Sequence, residues 1–139
     1  MKTIMLIYWW LSISGSSNGN LQPRTELATL IVYRQREFGG NAYSVRLNGK
    51  EMGSLSPNHY LKLNAPPGRA KVESAKDYFS GNQTVWLTLQ PGQTYYVKAV
   101  EEIDFLSRTL LMAPVGDEQA RQELRRIKPV VIAPPAQNE

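Results

Sequence analysis

Tyr43-Ser44-Val45-Arg46-Leu47-Asn48-Gly49-Lys50-Glu51-Met52-Gly53-Ser54-Leu55 is the stretch that decides the fold. Tyr43, Val45 and Leu47 alternate with Ser44 and Arg46, the period of a strand with one apolar and one wet face. Asn48-Gly49 then supplies the two positive-φ residues that a type I′ turn demands. The return strand runs over 52–55, and the whole reads as a β-hairpin.

The same grammar repeats on the C-terminal side. Tyr60 to Asn64 alternates with Leu61 and Leu63 on one face and ends at Pro66-Pro67-Gly68. Proline gives up its ladder hydrogen bond there, and glycine accepts the positive φ of a type II turn. In the next strand Ala70 and Val72 point in, while Arg69, Lys71 and Glu73 point out. Val85, Leu87 and Leu89 share a face opposite Thr84, Trp86 and Thr88. Pro91-Gly92 turns that strand into Tyr95 to Val100, and a further apolar strand is expected over 105–113, ended by Pro114. On the N-terminal side, 27–34 is apolar on both faces, the signature of a central strand buried on two sides, and Gly39-Gly40 breaks it.

One helix is expected, over 117–127. Asp117 and Glu118 stand at its start and Arg125, Arg126 and Lys128 at its end, which complements the helix dipole. Ala120, Leu124 and Ile127 form a stripe that can cover a sheet. Pro129 is read as its stop. The fold class is therefore all-β: a two-sheet antiparallel sandwich of immunoglobulin-like layering, with a C-terminal helix packed on it. Its expected core is Ile31, Tyr33, Val45, Leu47, Leu61, Leu63, Val72, Val85, Leu87, Leu89, Tyr95 and Val97.

The 139 residues suit one domain of 27–128. Residues 1–19 read as a signal peptide, with Lys2 before the apolar run Ile4 to Leu11, and Ser12, Ser14, Gly15, Ser16 and Ser17 as a small-residue exit. A cut after Gly19 fits, with Ser17 at −3. An apolar N-terminal strand, or an uncleaved segment whose Tyr8, Trp9 and Trp10 rest at a membrane interface, is the alternative. Residues 20–26 read as a linker, and 129–139 as an extended Pro-rich tail. The formal charge of +4 is too modest to demand nucleic acid. The absence of cysteine removes disulfides, thiolate metal sites and a cysteine for lipid anchoring from this sequence. The expected location is periplasmic or associated with the outer membrane.

Four stretches resemble a known family: Leu30-Ile31-Val32-Tyr33-Arg34, then 45–55, then 60–69, then Leu87-Thr88-Leu89-Gln90-Pro91-Gly92-Gln93-Thr94-Tyr95-Tyr96-Val97. This is an uncharacterised bacterial domain-of-unknown-function family of small exported proteins, many of them lipoproteins, similar in design to the PEGA-type surface β-sandwich. The resemblance spans 28–127. It implies an envelope module, some members sitting in larger assemblies, and carries no catalytic residues across. The missing lipobox cysteine is the departure.

No catalytic, cofactor or metal site is expected. His59 is the only histidine, and no G-x-S-x-G motif accompanies it; it reads as a polar residue at a strand start. Glu101, Glu102 and Asp104 could in principle do acid/base work or hold a hard cation, but without EF-hand-like spacing they read as a solvated loop. Arg121, Arg125, Arg126 and Lys128 have the composition of a phosphate site, yet interleaved acids make a solvated helix face the simpler reading. Asn82-Gln83-Thr84 matches a glycosylation sequon.

Two candidate contact sites remain. Trp86 could stack on a ligand, with Tyr43, Tyr60, Tyr78 and Phe79 extending the face; covering the second sheet face or sitting beneath the helix is the alternative. Val130, Val131, Ile132, Pro134 and Pro135 could add as a strand to a partner's sheet edge, or fold back onto their own sandwich. The expected function is a non-catalytic exported module making protein–protein contacts in the bacterial cell envelope. The alternative is a carbohydrate- or peptidoglycan-binding module using exposed aromatics, and a small hydrolase built on His59 or the acids comes third.

Overall fold

The computed structural model describes residues 26–75 and 83–130. In chain order the elements are β1 (Ala28–Arg34), β2 (Tyr43–Leu47), β3 (Lys50–Leu55), β4 (His59–Ala65), β5 (Gly68–Ala75), β6 (Gln83–Leu89), β7 (Thr94–Ile103), β8 (Arg108–Val115), helix α1 (Asp117–Leu124) and β9 (Lys128–Pro129). One sheet has the order β8-β7-β1-β4-β9 and the other β3-β2-β5-β6. Their facing sides enclose a core of Leu30, Val32, Val45, Leu61, Val72, Leu89, Val97 and Leu110 among others. This is the all-β sandwich with a C-terminal helix that the alternation predicts.

The turns are those that the residues dictate. Asn48 (φ 52°) and Gly49 (φ 86°) close the β2–β3 hairpin in the left-handed region. Gly92 (φ 74°) follows Pro91, and Gln93 N–H donates to Gln90 O at 3.3 Å, a type II arrangement. In β6, Leu89 is buried and Val85 and Leu87 half-buried, while Thr84, Trp86 and Thr88 are exposed.

β1 sits in the middle of its sheet, as expected, but its phase is the reverse of the expected one. Leu30 and Val32 line the sandwich core, whereas Ile31 and Tyr33 face the other way into a second cluster with Tyr96, Ala120, Leu124 and Ile127. Alternation cannot set the phase of a strand that is apolar on both sides; the helix decides it, because its stripe needs an apolar floor. Tyr33 is buried all the same. Two pairings are parallel, β1 with β7 and β4 with β9, and the rest antiparallel.

Three boundaries also differ. β8 begins at Arg108, not 105, because Asp104 N–H donates to Ser107 O at 2.8 Å and makes 104–107 the tip of the β7–β8 hairpin. The helix ends at Leu124, and Ile127 is reached by a tighter turn (Ile127 N–H to Leu124 O, 3.0 Å). Pro129 is therefore not the helix stop. Residues 127–130, past the helix, belong to the fold: Lys128 N–H donates to Asn58 O at 3.1 Å, and Val130 N–H to Tyr60 O at 2.9 Å.

Candidate functional site

The parallel β1/β7 pairing builds the end of the molecule. β1 stops at Arg34, opposite Ala99. β7 continues for Val100 to Ile103 and pairs with β8, so this hairpin projects roughly 13 Å beyond β1 at 3.3 Å per residue. Residues 35–42, which link β1 to β2, lean against the projection.

A buried ion cluster holds that junction. The Arg34 side chain has 0% exposure and Glu101 has 2%. Arg34 Nη1 donates to Leu55 O at 3.0 Å and to Asn41 O; Nη2 reaches Glu37 Oε1 at 2.8 Å and Glu101 Oε1 at 3.6 Å. Glu101 accepts from Tyr43 Oη at 2.8 Å, from Asn41 N–H at 3.1 Å and from Asn41 Nδ2 at 3.3 Å. Burial pushes the Glu101 carboxyl up, but these hydrogen bonds and the Arg34 charge outweigh it and leave it below its ordinary value. Burial and the bond to Glu101 push the Tyr43 hydroxyl well up. Gly40 is required by this packing, since a Cβ there would lie 2.7 Å from both Arg34 Nη2 and Pro57 Cγ. Glu101 is therefore not part of a solvated loop: it lies in β7 and is a structural anion. Tyr43 is buried with it, which removes it from any ligand-stacking face.

Beyond the cluster, exposed apolar side chains stand among exposed Glu102, Asp104, Ser107 and Arg108. Phe38 in the 35–42 loop is fully exposed, as are Phe105 (94%) and Leu106 (87%) at the hairpin tip, with Ile103 at 59%. On the outer side of the hairpin, exposed Val100 stands opposite exposed Leu111. Phe105 and Leu106 are adjacent at one tip, and grouped exposed apolar side chains, unlike scattered ones, mark contact sites. The apolar strand expected over 105–113 took in 105–106, which instead form the exposed tip. The signal was there in Asp104 and Ser107, which flank Phe105-Leu106 as turn residues flank a tip.

The predicted site residues scatter. Trp86 is 53% exposed on the outer face of its sheet, cross-strand from Lys71. The Arg69 guanidinium lies 4.5 Å from its ring centroid and Lys71 Nζ 5.8 Å. The ring is thus engaged by cations rather than open on every side. Tyr60 is half-buried in the cluster beneath the helix. Val130 packs on its own core. Val131, Ile132, Pro134 and Pro135 lie outside the described residues, as do Tyr78, Phe79, Asn82 and the 1–19 segment. His59 Nδ1 is 2.9 Å from Pro57 O, a local turn contact. Among the described residues, no helix is long and apolar enough to cross a membrane.

A protein-family model described as a protein of unknown function (DUF2846) matches residues 24–108. The chain belongs to that family. The match runs from just before β1 to the first residue of β8, so the ion cluster and the hairpin tip fall inside the DUF2846 segment and the helix outside it. No curated protein and no solved structure matches the chain.

Proposed function

We propose that this DUF2846 protein is a non-catalytic, exported module of the bacterial cell envelope, PEGA-like in design, that docks another protein through the projecting β7–β8 hairpin. The observation that carries the reading is the end surface itself: Phe105 and Leu106 stand nearly fully in solvent on a hairpin anchored by a buried Arg34–Glu101 cluster. Apolar side chains on a rigid mount lose little conformational freedom when a partner covers them. A non-catalytic role is supported by where three of the four acid/base candidates have gone. Glu101 is consumed by Tyr43, Asn41 and Arg34, Asp104 accepts the Phe105 N–H at 2.6 Å, and His59 faces a carbonyl. Export is supported by the Lys2-led apolar run.

The paired substitution Phe105→Ser and Leu106→Ser tests the reading. It should leave the melting temperature unchanged and reduce the apparent size of the complex that the full chain forms in gently lysed cells. An unchanged complex would refute it. The second reading, glycan binding, is favoured by the exposure of Trp86; unaltered retention of Trp86→Ala on peptidoglycan would remove it.

A further inference from the structure

A groove of about 540 Å³ separates the last turns of α1 from the turns that end β1 and begin β4. It carries charge that no ion pair takes up among the described residues. Arg125 and Arg126 line it from the helix side and Arg36 from the opposite wall. None of the three forms an ion pair among the described residues. Each is exposed. The carboxylate in the groove, Glu123, is already committed: it accepts from Tyr33 Oη at 2.6 Å and pairs with Lys98 Nζ at 3.0 Å. Gln35, Asn58 and Gln122 also line it, and Ile127 is its apolar residue.

Both walls are fixed. Asn58 N–H donates to Gln35 O at 3.2 Å, and Asn58 O accepts from Lys128 N–H at 3.1 Å, so the turn before β4 is tied to the end of β1 and to β9. The helix wall is pinned through Glu123 to β1 and β7. Arg125 and Arg126 have an ordinary reason to sit where they do, since cations suit a helix C-terminus. Arg36 has no such reason. It lines the other wall, so three arginines, none of them ion-paired among the described residues, share one groove.

We infer that this groove is a binding site for a small ligand carrying more than one oxyanion, a phosphoester or a polycarboxylate. Guanidinium groups bind such oxygens through paired, charge-assisted hydrogen bonds, and amide N–H groups complete the set. The volume is in the range of about 300–1,000 Å³ that holds small-molecule ligands. The inference does not rest on the hairpin reading, because Arg36, Arg125 and Arg126 are not part of the hairpin tip.

The test is an NMR titration of the full chain, followed on the arginine Nε–Hε signals, with inorganic pyrophosphate in one arm and citrate in the other at physiological salt. Saturable shifts at Arg36, Arg125 and Arg126 are expected, and the stronger arm tells phosphate from carboxylate. The double substitution Arg36→Gln and Arg126→Gln should weaken binding at least roughly tenfold, since two charge-assisted contacts are lost. Arg69→Gln on the other sheet should leave it unchanged. Shifts that do not saturate in either arm, or that are as large at Arg69 and Arg46 as in the groove, would overturn the inference.

Discussion

Glu101→Ala is the perturbation that bears most on how the hairpin is held. The substitution removes a carboxylate that is 2% exposed and leaves Arg34, with 0% exposure, short of one of its two anionic partners. Deleting one member of a buried ion pair costs about 3–5 kcal/mol. Glu37 still reaches Arg34 Nη2 at 2.8 Å, which argues for the lower end, about 3 kcal/mol. A domain of this size loses about 4–8 °C of melting temperature per kcal/mol, so Glu101→Ala should melt roughly 12–24 °C lower. Urea unfolding of the full chain by circular dichroism gives the free energy directly. The cycle with Arg34→Met isolates the pair: the double variant should lose clearly less than the sum of the singles, because each single leaves the other charge buried. A loss under about 1 kcal/mol for Glu101→Ala, the size of a solvated pair, or simple additivity in the cycle, would refute the reasoning.

Three other outcomes follow. Glu101 and Glu123 both titrate below the ordinary 4.5 in the folded state, so the stability they contribute is present above that value and is lost as pH falls through their folded values; unfolding midpoints should drop below pH 4.5, and less steeply in Glu101→Gln. Gly49→Ala, at φ 86° with open space around its Cβ, should cost about 1–2 kcal/mol through backbone strain alone, measured by the same urea curves. Ending the chain at Pro129 removes the Val130 N–H bond to Tyr60 O and a half-buried side chain; it should destabilise the domain by about 1–2 kcal/mol, and an unchanged midpoint would show that Val130 contributes nothing.

Most of the fold is legible in the sequence because period-two burial and positive-φ turns are local. Asn48-Gly49 and Pro91-Gly92 needed no tertiary information, and neither did the inward set Val85, Leu87 and Leu89. What stayed hidden depends on packing across distance. The phase of β1 was ambiguous because Leu30/Val32 and Ile31/Tyr33 are equally apolar, and only the helix stripe chooses between them. Arg34 and Glu101 lie 67 positions apart along the chain, by their numbering. Nothing local in Tyr33-Arg34-Gln35 or Val100-Glu101-Glu102 announces that one residue of each trio is buried against the other, so Glu101 reads as solvated acid until β1 and β7 are laid side by side. The groove shares that character: Arg125 and Arg126 were visible as a basic helix end, but Arg36 comes from another element and joins them only in three dimensions. Trp86 behaved as its pattern said, pointing out, although the cations stacked on it come from the neighbouring strand.

The central claim is that the projecting hairpin is the contact surface. Photo-crosslinking in living cells tests it most directly, with a photoreactive residue placed in the full chain at position 105, 86 or 62. Position 105 should give a discrete adduct with one other protein, and positions 86 and 62, on the outer sheet face and on β4, should give none. No adduct at 105, or adducts of equal yield at all three positions, would contradict it.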